Sequence, residues 1–260
     1  MSAPLISSVL SAETLRSLCN NDLAAIWIKE FYPLALCECA VDKILHSNKI
    51  TYYSEAPDFK RIGDPYSLAY ESHKNYFCAV EDYFFNTLGT INHIRDLFHP
   101  YYSPIDNLRL KLDESWPGGA CLKTVKHQKY LAGIIRILTS DTGIPPHKDR
   151  YLALYPDIDN TYQHQITANI YLAVPEEQGA LMLWLDSNSD IPINQENNLA
   201  VFSELDLGPP KLIIQPAQGD LVLFNPCLLH AVAASSQGLR ISSGLFIGLS
   251  DINKPLEYWS

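Results

Sequence analysis

Hydrophobic and polar positions follow two different periods in the two halves of this chain. In the first half, apolar residues recur at helical spacing. Ser11 to Asn20 predicts a short helix with Ser11 as its N-cap. Ala24 to Phe31 is apolar and β-branched and predicts a strand. Pro33, tolerated in a first turn, opens a helix to about His46. Residues 50–72 break the period and are read as a long loop, with Tyr52, Tyr53, Phe59, Tyr66 and Tyr70 set between Gly and Pro. Helical spacing returns from about Lys74 to Phe98 and from Pro104 to about Glu114.

From Gly133 onward the runs shorten. GIIRILT, PPHKDRYL, QITANIYLAV, GALMLWL, KLIIQP, DLVLF, LLHAVAA and LRISSGLFIGL are punctuated by PEEQG, PAQGD and SSQG. Short strands with hairpin-like turns predict an α+β protein with a double-stranded β-helix core, jelly-roll or cupin-like, and flanking N-terminal helices. Residues 1–132 are then a helical part packed on the sheet and covering the site, and residues 133–260 the sandwich, in one integrated domain. The polar stretch Leu185 to Leu207 predicts an insertion between two core strands.

Composition narrows the classes. With 47% hydrophobic and 18% charged residues, 260 residues can bury a full core, which excludes bulk disorder. Lys plus Arg total 19 against 29 for Asp plus Glu, a net charge of -10, which argues against nucleic acid as a partner. The N-terminus does not read as a signal peptide, and no stretch has the length of a membrane span. The six cysteines form no paired CxxC motifs, so reduced thiols in the cytoplasm are expected rather than a structural zinc site.

The candidate chemistry begins at His147-Lys148-Asp149. Residues two apart on a strand share a face, so an imidazole and a carboxylate are presented together. His230 follows 83 residues later, after the apolar run DLVLF. Two His and one carboxylate with open positions suit non-haem Fe(II), and zinc can use the same ligand types. Arg240 stands ten residues beyond His230, with Ser242 two further on. On that strand Arg240, Ser242, Gly244 and Phe246 share one face, opposite an apolar packing face. A guanidinium facing a cavity needs an anion, and a dicarboxylate cosubstrate can supply one.

The strings HKD, PAQGDLVLFNPCLLHAV and GLRISS together resemble the Fe(II)/2-oxoglutarate-dependent oxygenases over roughly residues 133–250. IIRILTSDTGIPPHKD and QITANIYLAVPEEQGALMLW are similar to the branch of small-molecule hydroxylases and halogenases acting on amino acids and alkaloids, with Gln178 where a Gly is often seen. The resemblance implies His147, Asp149 and His230 as iron ligands and catalytic centre. It implies Arg240 on the distal carboxylate of 2-oxoglutarate, with Ser242 beside it. O2 is the oxidant, and succinate and CO2 are released. Related halogenases carry Gly or Ala where Asp149 stands, so hydroxylation, or another oxidation such as desaturation, is expected rather than halogenation.

Further candidates come from strand alternation. Thr167, Asn169 and Tyr171 share one face, and Ile166, Ala168, Ile170 and Leu172 the other. Helices covering the outer face would turn the polar set toward the cavity, where Thr167 and Asn169 are cosubstrate candidates and Tyr171 a substrate candidate. Arg136, mid-strand in GIIRILT, is a further cosubstrate candidate that offers a second anion contact, or it makes a structural salt bridge. Arg150 is either a substrate contact at the barrel mouth or a solvated charge. The loop 50–72, with Tyr66, is a candidate substrate lid or a static cover. The expected activity is hydroxylation of a small molecule, a free amino acid or an alkaloid-like compound. The alternatives are a peptide or protein hydroxylase of the same superfamily, a non-catalytic cupin-type binding module, and a zinc hydrolase, which leaves Arg240 unexplained.

Overall fold

The computed structural model describes residues 5–53, 56–70, 76–149, 162–176, 179–185 and 207–260. The insertion expected at Leu185 to Leu207, Arg150 and Gln178 lie wholly or almost wholly outside these residues. The chain opens with β1 (Ile6–Ser7), α1 (Ala12–Cys19), β2 (Ala25–Ile28) and α2 (Leu34–Leu45). Then come β3 (Ile50–Tyr53), β4 (Ala56–Ile62), α3 (Tyr66–Tyr70), α4 (Tyr76–Phe98) and α5 (Pro104–Ser115). Three short strands follow: β5 (Ala120–Leu122), β6 (Thr124–Val125) and β7 (Gln128–Lys129). The second half holds β8 (Ile134–Leu138), β9 (Ile144–His147), β10 (His164–Ala173), β11 (Leu181–Trp184) and β12 (Leu212–Ile214). It ends with β13 (Leu221–Phe224), β14 (Leu229–Val232), β15 (Arg240–Leu249) and β16 (Leu256–Trp259).

The helix starts follow from local chemistry. Ser11 accepts the Thr14 amide, and the Thr14 hydroxyl oxygen accepts the Ser11 amide, so α1 opens on a reciprocal capping box. Pro33 stands just outside α2, at its N-cap. Ser103 caps α5 by accepting the Asp106 amide, with Pro104 in the first turn.

Two sheets form the sandwich. The larger runs β1-β2-β13-β10-β15-β8-β4-β3, with β16 and β5 attached at β15. The smaller runs β12-β11-β14-β9. Strand alternation sorts the larger sheet into two faces. Ile166, Ala168, Ile170, Leu172, Ile241 and Leu245 are buried in one cluster with helix residues such as Leu15, Leu18 and Ile44. Tyr171, Val222 and Phe224 point the other way, into a smaller cluster with Leu181, Leu183 and Ile214 of the second sheet. The polar face of β10 therefore looks into the sandwich, and the helices pack on the far side.

The first half is more than the helical cover that its spacing suggests. It supplies β2, paired antiparallel with β13, and the hairpin of β3 and β4, paired antiparallel with β8. The region read as a loop is thus largely sheet and one short helix. Its alternation is obscured by Pro57, by Gly63 at φ +92 and by the register shift between Tyr52 and Tyr53. Among the described residues its helices line the outer face of the large sheet, and none closes over the inner one. Among the described residues no helix is long and apolar enough to cross a membrane.

The turn PAQGD ties the two halves together. Gly219 has φ +87, and a Cβ there would lie 2.4 Å from the Tyr32 carbonyl oxygen, so only glycine fits. The Gly219 carbonyl accepts the Tyr32 amide, and the Gly219 amide donates to the Tyr171 carbonyl. The buried Asp220 carboxylate accepts from Trp27 Nε1 at 2.7 Å, the Glu30 amide at 3.0 Å and the Ala217 amide at 2.9 Å. Asp220 is a structural acid, committed to three N–H donors. Asp220→Ala strands all three and is expected to cost about 2–4 kcal/mol of folding stability, measured by urea unfolding.

Candidate active site

The site is built where β9 and β14 meet. In the register of these antiparallel strands His147 stands directly opposite His230. Their rings lie 4.1 Å apart between centroids. His147 Nδ1 sits 2.8 Å from the Pro145 carbonyl oxygen, and His230 Nδ1 sits 2.9 Å from that of Leu228. A carbonyl only accepts, so each Nδ1 carries a hydrogen and each ring turns its Nε2 the other way.

Both Nε2 atoms turn toward Asp149. Its Oδ1 is 3.7 Å from His147 Nε2 and its Oδ2 is 3.5 Å from His230 Nε2. Asp149 is not on the strand as expected; β9 ends at His147, and the carboxylate arrives on the segment beyond it. The Asp149 amide donates to the Pro226 carbonyl at 2.9 Å, and Gln165 Nε2 reaches the Asp149 carbonyl at 3.5 Å. The turn before β14 and the start of β10 thereby hold it in place. Phe224 packs edge-on against His230, with centroids 5.0 Å apart.

Electrostatics follow from this geometry. Burial, the neighbouring His230 and the charge of Arg136 depress His147 to about 4, against the pull of Asp149. Burial alone would raise Asp149, but His147, His230 and Arg136 outweigh it and hold the carboxylate well below its usual range. Two imidazole lone pairs and an ionised carboxylate, all acceptors, converge with their ligand atoms within 4.8 Å of one another. Such a set repels itself unless a cation sits between its members, so the residues fit a divalent metal. The orientation by backbone carbonyls is the outer support that metal-binding imidazoles use.

The remaining candidates sort by the register of the large sheet. Arg240 is buried, and its guanidinium lies 5.1 Å from the centre of the Tyr171 ring. Neither Arg240 Nε nor the Tyr171 hydroxyl has a hydrogen-bond partner among the described residues. Burial raises the Tyr171 hydroxyl above its usual value, with Arg240 opposing. Ser242 pairs with Tyr171 on one side and with Arg136 on the other, so all three share the inner face. Asn169 pairs with Gly244, and Thr167 with Phe246 and Phe224. A Cβ on Gly244 would lie 2.5 Å from Asn169 Oδ1 and 3.2 Å from Arg136 Nη1, so both side chains lie over that glycine. The orphaned, buried polar atoms of Arg240 and Tyr171 are what a carboxylate acceptor would satisfy.

Tyr66 is placed elsewhere. It is buried among Tyr83, Phe84 and Tyr130, with ring centroids 5.1–6.0 Å away, and this aromatic cluster occupies it as core rather than as a lid over the triad. Arg61, on a strand that the sequence pattern conceals, joins the inner face through its pairing with Arg136.

No protein-family model matches the chain, and no curated protein matches it. Solved structures do. A novel N-substituted L-amino acid dioxygenase from Burkholderia ambifaria AMMD superposes with a TM-score of 0.64 at 15% identity, covering 96% of this chain and 91% of that one. The same enzyme in complex with alpha-KG gives 0.63 at 15%, with the same coverage. HygX from Streptomyces hygroscopicus with iron bound gives 0.50 at 16%, covering 92% and 87%. At these identities the likeness is one of fold, and it extends over nearly the whole chain.

The depressed His147 sets an acid limit on the metal-free protein. Between pH 6.5 and about 4 the unfolded chain binds a proton at this residue and the folded chain does not, so stability falls as pH falls through that window. Wild type is expected to lose roughly 2–3 kcal/mol there from this group, and His147→Gln to flatten the slope, as read from thermal unfolding at a series of pH values.

Proposed function

We propose that this protein is an iron(II)- and 2-oxoglutarate-dependent dioxygenase that hydroxylates a C–H bond of a small molecule, a free amino acid or an alkaloid-like compound. The observation that carries the reading is the coincidence of two unsatisfied constellations on the inner sides of the two sheets. The ligand atoms of His147, Asp149 and His230 converge, and Arg240 Nε and the Tyr171 hydroxyl are buried with no hydrogen-bond partner among the described residues. A metal and a dicarboxylate are what the two lack. The sequence resemblance and the shared fold support the same pair, since the similar structures include one in complex with alpha-KG and one with iron bound.

The chemistry supplied there, with metal and cosubstrate bound, is oxidative decarboxylation of 2-oxoglutarate by O2 to succinate and CO2, coupled to hydroxylation of the substrate. His147, Asp149 and His230 would hold the metal. Arg240 would anchor the distal carboxylate, with Ser242 and the Tyr171 hydroxyl able to complete its hydrogen bonds. Thr167 and Asn169 line the same wall. Phe224 closes the apolar side of His230 and keeps water from it. Asp149 fills with its own carboxylate the place where the related halogenases keep a small residue, which favours hydroxylation. The leading partner is therefore a small-molecule substrate.

Succinate release from 2-oxoglutarate in air, in the presence of Fe(II), ascorbate and a panel of amino acids and alkaloids, tests the reading. His147→Ala and Asp149→Ala are expected to abolish coupled turnover, and Arg240→Ala to raise the 2-oxoglutarate requirement at least about tenfold with less effect on the saturated rate. No succinate above background with any candidate, together with no binding of 2-oxoglutarate by calorimetry, would sink the proposal in favour of a binding module. With chloride present, the main product is expected to carry oxygen rather than chlorine.

A further inference from the structure

One row of the large sheet carries more positive charge than the proposed cosubstrate uses. Across β4, β8, β15 and β10 the register aligns Arg61, Arg136, Ser242 and Tyr171. All four point to the inner face. Arg61 and Arg136 are directly opposite each other on antiparallel strands, a placement where like charges repel. Arg61 is 6% exposed. Its Nε and Nη2 each lie 2.9 Å from Asp64 Oδ1, and the Tyr53 ring stacks 4.1 Å from it. Its Nη1 is buried and has no hydrogen-bond partner among the described residues. Arg136 makes no ion pair among the described residues, and its charge is felt at both His147 and Asp149. Asp64 is more than half exposed and occupies only the far edge of Arg61. Asp149 is spoken for by the triad, and Arg240 lies one row away, opposite Leu138.

We infer that Arg61 and Arg136 form an anion site for a carboxylate of the organic substrate, so that the substrate is an acid, of the amino or carboxylic acid class, and not a neutral or cationic alkaloid. The inference rests on the proposed function for the word substrate, but the anion site itself does not. A carboxylate bridging Nη1 of Arg61 and the guanidinium of Arg136 satisfies the orphaned donor and removes the cross-strand repulsion together. It also fixes one end of the substrate beside the triad. Gly244 leaves room for this arrangement, because any side chain there would displace Arg136 and Asn169.

The test uses the full chain loaded with zinc(II), a redox-inert occupant of the triad, and saturated with 2-oxoglutarate so that the Arg240 site is filled. The probes are 4-fluorophenylacetate and its neutral amide, 4-fluorophenylacetamide, titrated by fluorine NMR. The acid is expected to bind at least about tenfold more tightly than the amide, because only the acid makes the charge-assisted bonds. Arg61→Gln is expected to remove that preference, Arg61→Lys to keep part of it, and both to leave 2-oxoglutarate affinity by calorimetry within about threefold, since Arg240 is intact. If Arg61→Gln does not fold, as judged by circular dichroism, Arg136→Gln takes its place with the same expectation. Equal binding of acid and amide, or no binding of the acid, overturns the inference. So does loss of 2-oxoglutarate in place of the acid, which would assign the pair to the cosubstrate. Displacement of the acid by inorganic phosphate at lower concentration overturns it in favour of a phosphate site. A wild-type protein that does not take up 2-oxoglutarate defeats the functional reading alone, and the acid-over-amide preference is then read in the zinc-loaded protein without it.

Discussion

The site depends on the pairing of His147 with His230 across β9 and β14. A strand register places side chains to within a fraction of its pleat, and here it sets two imidazoles opposite each other, their rings tilted by 50°. Two backbone carbonyls then take their Nδ1 hydrogens, which leaves no freedom in which nitrogen is offered. The carboxylate need not come from the same strand. It has only to reach the converging Nε2 atoms, and the Pro226 and Gln165 contacts hold the segment beyond β9 where it can. Rigid sheet supplies the imidazoles and a tethered segment supplies the charge.

The opposite wall of the cavity obeys a different constraint. Alternation on β10 and β15 sends the apolar residues to the helices and the polar ones inward. The helices are therefore a support rather than a cover. By burying one face of the large sheet completely, they leave the other free to carry arginines, which a sheet facing solvent would have no reason to bury. The clamp around Asp220 has the same logic, because it fastens β2 to β13 and so keeps the strand bearing Trp27 in that sheet.

Much of this was legible in the residues. His147, Asp149, His230, Arg240 and Ser242 could be found because each is a rare residue type at a characteristic spacing within an apolar run. The inward face of β10 could be found because period-two alternation holds from Ile166 to Leu172, before the register shifts between Tyr171 and Ala173. What was not legible lies where local signals conflict. Pro57, Gly63 and a register irregularity hide β3 and β4, so Arg61 sat in an apparent loop with no face to assign it to. Tyr66 looked like part of a lid because aromatics between breakers do, and only packing against Tyr83, Phe84 and Tyr130 identifies it as core. The position of Asp149 beyond the strand end could not be read either, since a two-residue spacing looks the same on a strand and on the segment that leaves it.

Net charge and local charge point in opposite directions in this protein, and the difference is physical. The whole chain carries -10, yet the inner face of the large sheet brings together Arg61, Arg136 and Arg240. The surface charge is solvated and screened within about 8 Å at physiological ionic strength, so it contributes little inside the cavity. The buried guanidiniums are not screened in that way, and each demands a partner close at hand. With Asp64 and Asp149 already engaged, the proposed anion sites would meet that demand with molecules that arrive carrying carboxylates. On that proposal, selectivity for acids lies in the unmet bonding capacity of the interior, and a negative exterior does nothing to weaken it.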